Sequence, residues 1–443
     1  MLKLILRSAL LACFVGFVGC GGMPPTPDAG GPLGCPELAV EPVLHVGSVT
    51  GNEEWGGGSL HKITNTLTIE AGAQITLSPC AQVLIRPAAW LFVYGKLVAR
   101  GDALHPITIK GDNGRFNSIM VRSPGTIDLG YVTIENAGAT PQSSFGAAIL
   151  AEGSWPVTRP VAVDHVTIND AAGYGVALRG YTAFTPGSAE LTVTNSGKVS
   201  PTYPFPVRME LNTTGSLPTG RYTGNQIDEI QIVSVPPKYS VEIDDVIRDR
   251  GVPYRMGGNG SLAELRIGAV GSVPTLTIEP GVTIRMDSGT GTTGRVYVGV
   301  SNQTGALVAV GTADKPIRFT TSLPTPVAGS WIGVDFTNPV SSTNRLEHVI
   351  IEYAGSPGGA SGYGCPPQSL NHNDAALRIF SMPPSTLFQS SVIRHSRGHG
   401  ILSGWTGFEV DFKTGNTFEN VAGCSQVLPK EPNGACPSMP MCQ

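Results

Sequence analysis

The chain has 443 residues, including 57 Gly and 36 Pro, and charged residues make up only 14% of it. This composition excludes a long coiled coil or a helical bundle, because those folds need Ala, Leu, Glu and Lys in bulk and little Gly. The net charge of −4 comes without a basic stripe, so no nucleic-acid partner is expected. Hydrophobic residues, at 41%, suffice for a core. The length is compatible either with two to three domains or with a single elongated β fold.

The N-terminus reads as an export signal. Two basic residues precede an apolar stretch, 8–19, which is too short to span a bilayer as a helix of roughly 20 residues. Its end, FVGC, resembles a bacterial lipobox, with Gly19 as the small residue before the cut and Phe17 in place of the usual Leu. The resemblance implies cleavage before Cys20, acylation of its thiol and, because Gly21 follows, residence at the outer membrane. The alternative is ordinary secretion with an unmodified thiol.

A Pro/Gly-rich segment, 21–34, follows and has the composition of a flexible tether. Six further cysteines are expected to form disulfides, as an even number does in an exported protein. Spacing does not choose among the fifteen pairings, although Cys35 with Cys80 is the interpretation we favour because both lie early in the folded region. The ligand spacing of a zinc site is absent. The six cysteines expected to form disulfides are Cys35, Cys80, Cys365, Cys424, Cys436 and Cys442.

A long-period internal repeat is the most informative feature. Residues 67–72 (LTIEAG) recur as 276–281 (LTIEPG), and 131–138 (YVTIENAG) recur as 348–355 (HVIIEYAG). Five further matches keep the same order, while the offset grows from 209 to 225 residues. The repeat predicts two homologous modules.

Within each module, short runs of Val, Ile and Thr alternate and end at Gly, Pro, Asn or Asp. Examples are 132–134 (VTI) and 166–168 (VTI). Such runs predict strands and turns. Strands this short bury enough surface only when coils of about 20–25 residues stack on one another and share an axial core.

The segments 276–282, 305–322, 330–334 and 348–355 resemble right-handed parallel β-helix repeat proteins of bacterial surfaces. The resemblance implies an all-β fold, a right-handed parallel β-helix (solenoid) built from two homologous modules, with Trp331 packed at a corner. It implies nothing specific about activity, because the motif residues are those that build coils. A pair of β-sandwiches is the alternative, but hairpin signals are sparse.

One motif resembles an enzyme family. Arg397-Gly398-His399-Gly400 contains the Gly-His-Gly of polygalacturonase-like enzymes, which also carry an Asp pair. The pair Asp244-Asp245 lies about 150 residues earlier, and carboxylates that hydrolyse a glycoside must lie roughly 5–10 Å apart. Because the first module has Tyr174 where the second has His399, we interpret this position as an outward residue on a tight turn.

Two other functions have candidate residues in the sequence. Asp244, Asp245 and Asp249 could hold the calcium of a lyase, but the interspersed arginines favour a solvated linker between the modules. We interpret His372 and Asp374 as part of a polar turn. Exposed aromatic residues on loops could bind a glycan, although packing over the last coils is the simpler interpretation for two of them. These aromatic candidates are Tyr181, Tyr363, Trp405 and Phe408.

The sequence therefore predicts an outer-membrane or surface lipoprotein that displays a rigid β-helix for structural, adhesive or glycan- or partner-binding roles. No cofactor or metal is expected. A polysaccharide lyase or hydrolase, with His399, Arg397, Asp244 and Asp245 as candidate catalytic residues, remains the alternative. The predicted segments are the signal peptide 1–19, the tether 20–42, module 1 at 43–222, module 2 at 223–423 and a Cys-rich cap at 424–443.

Overall fold

A computed structural model describes residues 34–258, 260–288, 294–337, 340–358, 365, 374–438 and 442. The predicted signal peptide, the acylation site Cys20 and most of the tether lie outside the described residues, as do Tyr363 and His372. Within the described ranges the protein is all-β, with 35 strands, one four-residue helix α1 (Pro141–Ser144) and one short 3-10 helix, Thr214–Ser216.

The strands of the N-terminal half are β1 (Val43–Val49), β2 (Asn52–Trp55), β3 (Leu60–Ile69), β4 (Gln74–Leu77), β5 (Gln82–Ile85), β6 (Leu91–Val93), β7 (Lys96–Arg100), β8 (Ile107–Gly111), β9 (Ile119–Arg122), β10 (Thr126–Ala137), β11 (Ile149–Glu152), β12 (Thr158–Ala171), β13 (Val176–Arg179), β14 (Thr182–Phe184), β15 (Ala189–Thr194), β16 (Val207–Glu210) and β17 (Gly220–Arg221). Those of the C-terminal half are β18 (Ile230–Val233), β19 (Ser240–Val241), β20 (Asp245–Ile247), β21 (Tyr254–Met256), β22 (Glu264–Ile267), β23 (Thr275–Ile278), β24 (Thr283–Met286), β25 (Arg295–Val298), β26 (Ala306–Val310), β27 (Ile317–Thr321), β28 (Gly333–Phe336), β29 (Arg345–Glu347), β30 (Val349–Glu352), β31 (Ala375–Ile379), β32 (Phe388–Gln389), β33 (Val392–Arg394), β34 (His399–Ser403) and β35 (Thr417–Glu419).

These strands pair in parallel, each with the strand one turn of chain later. Val132 pairs with Val166, for example, and Val166 pairs with Leu191. Parallel pairing between successive turns is compatible with the predicted β-helix. The predicted coil length of 20–25 residues is wrong for much of the chain, because paired residues lie between 18 positions apart at the N-terminal end and 43 apart between β28 and β31.

One ladder of strands runs through almost the whole folded region. We call it the long ladder. It starts at β1 and β3 and continues through β6, β9, β11, β13, β16, β18, β21, β24, β27, β30, β33 and β35. It crosses the predicted module boundary at 222/223 without a break in pairing. The other strands of the C-terminal half form a six-stranded sheet (β19-β22-β25-β28-β31-β34) and a five-stranded sheet (β20-β23-β26-β29-β32).

The core lies between the ladders, because alternate residues of each strand point inward. Leu91 and Val93 of β6 are buried, for example, whereas Phe92 between them is half-buried. Most of the buried apolar residues form one axial cluster that extends from Val49 to Phe412. Trp331 is fully buried and its indole nitrogen donates to the Glu352 carbonyl at 2.8 Å, so it packs inside the stack.

Segments matched in sequence share their backbone conformation. Tyr131 and its counterpart His348 have φ values of 51° and 49°, and Asn195 and its counterpart Asn420 have values of 55° and 52°. A left-handed conformation is uncommon outside Gly, so its recurrence at matched positions shows that the same turn is built twice.

The matched segments nevertheless face different directions. Strand β13 belongs to the long ladder, whereas β34, which carries the matching sequence, belongs to the six-stranded sheet. Strand β8 lies outside the long ladder, whereas its match β27 lies within it. Outward residues of the two halves therefore do not combine into one repeated surface.

Three disulfides join the six predicted cysteines. Cys35 pairs with Cys80, as we favoured, and the C-terminal pairs are Cys365–Cys436 and Cys424–Cys442. Three such bonds indicate an oxidising, extracytoplasmic compartment. Across the described ranges, no helix has the length and apolar character needed to cross a bilayer.

The start of the C-terminal segment packs on the last strands. A parallel bridge joins Gln426 to Ile401 of β34, and Val427 is fully buried. The capping role of 424–443 stays a prediction.

Candidate functional site

An aromatic run stands out on the outer face of the long ladder. Trp90, Phe92 and Tyr94 occupy alternate positions along β6 and its ends, so all three point away from the axial core. The rings of Trp90 and Phe92 are nearly parallel, with centroids 5.3 Å apart and planes 7° apart, and Tyr94 lies 6.4 Å from Phe92. All three side chains are half-buried. The run presents a row of aromatic rings at the surface.

Loops extend this run into a second apolar cluster outside the axial core. Strands β9 and β11 contribute Met120 and Leu150, which follow Phe92 along the ladder. The loop after β10 places Phe145 over them, and the loop before β16 adds Tyr203, whose ring lies 5.2 Å from Phe145 in an edge-to-face arrangement. Because these loops cover β9 and β11, their outward residues are buried while the rings of β6 remain accessible at the margin.

A row of charged side chains runs beside the aromatic residues. Glu152 accepts from Arg122 Nε at 3.2 Å and from Arg179 Nη1 at 2.8 Å, so one carboxylate bridges the arginines of the two flanking strands. The Tyr94 hydroxyl and Glu152 raise the pKa of Arg122 above its ordinary value, against the effect of burial. The Arg179 guanidinium also lies 4.9 Å from the centre of the Phe145 ring. Ion pairs this exposed add little stability, but they fix the orientation of the arginines.

The charged row continues along the C-terminal half of the long ladder. Glu352, only 5% exposed, accepts from Arg318 Nη1 at 2.9 Å and from Arg394 Nε at 2.7 Å. Burial raises the pKa of Glu352, and the hydrogen bonds from the two arginines outweigh it and hold that pKa below its usual range. Glu229 accepts a hydrogen bond from Arg255 Nε at 2.7 Å. The outer face thus changes from aromatic to ionic along the stack.

The residues of the enzyme hypothesis are not brought together. Asp245 lies in β20, on the same turn as β19, and His399 begins β34, five strands further along the six-stranded sheet. At about 4.8 Å per strand this separation is roughly 24 Å. The four candidates therefore do not converge in one cleft.

Two interpretations from sequence are wrong. His399 is not outward but buried, at 5% exposure, and its main-chain nitrogen donates to the Asp374 carbonyl at 2.7 Å. Tyr174, at the matching position, is also buried. Asp245 is not solvated either, because its carboxylate is buried against the 3-10 helix and accepts from Thr214 Oγ1 at 2.7 Å. Burial raises its pKa, and the hydrogen bonds only partly oppose that rise.

The aromatic candidates from sequence separate into two classes. Trp405 and Tyr181 are buried, at 1% and 2% exposure, as the packing interpretation predicted. Phe408 is 80% exposed. Within the described ranges, no group of three or more His, Cys, Asp or Glu side chains is arranged to hold a metal ion.

Sequence reasoning missed the aromatic run at Trp90–Tyr94, although the signal was present. The segment WLFVY alternates aromatic and aliphatic residues, and in a strand with one buried face this places every ring outside.

Comparisons of the chain with protein-family models, with curated proteins and with solved structures found no match.

Proposed function

We propose that the protein is a lipid-anchored surface β-helix that binds a linear glycan along the outer face of its long ladder. In this proposal the stack is right-handed and comprises two homologous modules, which the sequence repeat and the shared left-handed turns support. The protein acts as a binding and display module of the cell envelope rather than as an enzyme.

The aromatic run is the observation that carries this proposal. Solvent-accessible aromatic rings cost free energy unless a ligand covers them, and contiguous apolar surface on a soluble protein marks an interaction site. Aromatic rings accept the apolar faces of sugar rings, while hydroxyl groups of the same sugar can bond to polar neighbours. Arg122 and Arg179, held in place by Glu152, provide donors along the same face, and Arg122 lies beside the Tyr94 hydroxyl.

The anchor rests on the sequence. Several acyl chains on Cys20 give durable membrane attachment, since each buried CH₂ contributes about 0.8 kcal/mol. The disulfides agree with export. Mass spectrometry of the native protein is expected to find an acylated N-terminal Cys20, and Cys20→Ala is expected to release the protein from membranes. A native protein that begins upstream of Cys20 would contradict the anchor.

The glycan proposal is tested by co-sedimentation with insoluble cell-wall and capsular polysaccharides, followed by calorimetry with soluble fragments. Trp90→Ala and Phe92→Ala are expected to weaken binding at least tenfold, because each removes a stacking surface. Phe408→Ala is the matched control, since it removes an equally large aromatic side chain that is exposed elsewhere. Equal loss in all three variants, or no polysaccharide binding by the unmodified protein, would contradict the proposal.

The enzyme alternative is tested in the same samples. Incubation of the purified protein with uronic-acid and neutral polysaccharides is expected to leave chain length unchanged. Depolymerisation that His399→Ala abolishes would instead establish the lyase or hydrolase alternative.

A further inference from the structure

A second surface feature lies on other strands than the aromatic run. It is a groove of about 610 Å³, bordered by Arg159, by the turn 184–189, by 212–219 around the 3-10 helix and by 243–250 around β20. These segments belong to successive turns of the stack. Val161 pairs with Phe184, the Phe184 amide donates to Ser216 Oγ, and the Gly215 amide donates to Asp245. The groove therefore extends over three strand spacings, roughly 14 Å.

Three arginines face this groove with little carboxylate pairing. Arg159 Nη1 donates to the Phe184 carbonyl at 3.3 Å, and Arg250 donates to the Leu217 carbonyl at 3.1 and 2.8 Å. Across the described ranges, neither arginine has a carboxylate oxygen within 4.0 Å, and Arg248 has only a 3.7 Å contact with Glu279. Backbone carbonyls orient these guanidinium groups without neutralising them.

The acidic groups of the groove are already engaged by the protein. Asp245 is buried and accepts from the Thr214 amide at 3.0 Å and the Gly215 amide at 2.8 Å. Asp244 is exposed and accepts from the Thr275 amide at 2.8 Å. The side of the groove open to solvent is therefore dominated by the arginines, at one end by Arg159 and at the other by Arg248 and Arg250.

We propose that this groove binds an acidic linear oligosaccharide, whose anionic groups contact Arg159 at one end and the Arg248–Arg250 pair at the other. Arginine is suited to this role, because its planar fork donates two parallel hydrogen bonds to a carboxylate or a sulfate. The walls suit sugar rings, since Thr185 and Ser188 offer hydroxyl groups and Ile243 is 39% exposed. The site shares no residue with the aromatic run, so it does not rest on the function proposed above.

The test is calorimetry of the purified protein with four probes at low salt. These are a uronic-acid tetrasaccharide, a sulfated tetrasaccharide, a neutral tetrasaccharide of equal length and inorganic sulfate. One acidic tetrasaccharide is expected to bind, and which of the two does so identifies the anion. Its affinity is expected to fall as ionic strength rises, and the neutral tetrasaccharide is expected not to bind.

Variants locate the site. Arg159→Ala and Arg250→Ala are each expected to reduce affinity about tenfold, which corresponds to about 1.4 kcal/mol. Asp244→Asn is expected to increase affinity several-fold, because it removes a repulsive charge and keeps an acceptor for Thr275. Arg86→Ala, at an exposed arginine outside the groove, is the matched control. Trp90→Ala must leave this binding unchanged, which separates this site from the aromatic run.

Several results would overturn the assignment. They are sulfate binding without binding of either acidic tetrasaccharide, equal binding of the neutral probe, or an unchanged affinity in Arg159→Ala. Arg159→Ala is the cleaner variant, because this side chain is exposed and makes one long backbone contact. Circular dichroism of each variant confirms that it is folded.

Discussion

Replacing Ile168 by Ala is expected to be strongly destabilising, because this residue sits in the middle of the axial core. Ile168 is fully buried and pairs with Ile134 on one side and Val193 on the other. The change removes three carbon atoms, which at about 0.8 kcal/mol each amounts to about 2.4 kcal/mol of lost transfer free energy. The cavity left between two neighbouring strands adds to this, so the expected loss in the free energy of unfolding is about 3–4 kcal/mol.

The neighbouring residue provides the control. Thr167 points to the opposite face of the same strand and is half-buried, so Thr167→Ala is expected to change the free energy of unfolding by no more than about 0.5 kcal/mol. Equilibrium unfolding in urea measures both, with the midpoint shifting at an unchanged slope. The reasoning is refuted if the two substitutions cost the same, or if Ile168→Ala costs less than about 1 kcal/mol, because the inward alternation of β12 would then be wrong.

Two further predictions concern the N-terminal end. The pKa of His45 is lowered to about 4 by burial against Trp55 and by the neighbouring His61, whose own pKa burial lowers. Because the unfolded chain then binds more protons, the contribution of the neutral His45 imidazole to stability is fully present above about pH 6.5 and is lost as the pH falls towards 4. His45→Phe is expected to flatten the dependence of the urea midpoint on pH, and an unchanged dependence would contradict this. Replacing both Cys35 and Cys80 by Ser opens a loop of 45 residues and is expected to cost about 4 kcal/mol on the loop-entropy estimate, whereas a midpoint unaffected by the double substitution would show that the unfolded chain is not restrained by this bond.

Much of the architecture could be read from local patterns. The runs VTI at 132–134 and 166–168 were predicted as strands and are parts of β10 and β12. Alternation with a period of two identifies which residues point inward, since it depends only on strand geometry. The length of each turn could not be read in the same way, because loops between strands tolerate insertion at small entropic cost. The predicted coil length therefore failed where loops lengthen the turn.

The candidate sites were harder to predict, because exposure depends on what packs above a residue. His399 lies between two glycines in a segment typical of an outward turn, yet the later segment at Gly423 and Cys424 packs against its ring and buries it. Asp245 lies in a charged stretch, yet the 3-10 helix one turn earlier supplies hydrogen bonds to its carboxylate. In both cases the decisive neighbours are 25 to 31 residues away in sequence.

The sequence by itself determined the cysteines available for disulfides, the strand-and-turn composition and the repeated segments, because each is a property of short stretches of chain. Tertiary structure alone decided which faces those segments occupy. Strands β13 and β34 match in sequence, yet they lie in different sheets. Only the stacking of distant turns assembles the aromatic run and the arginine groove, because the side chains of each lie on strands that meet through parallel pairing and not through proximity in sequence.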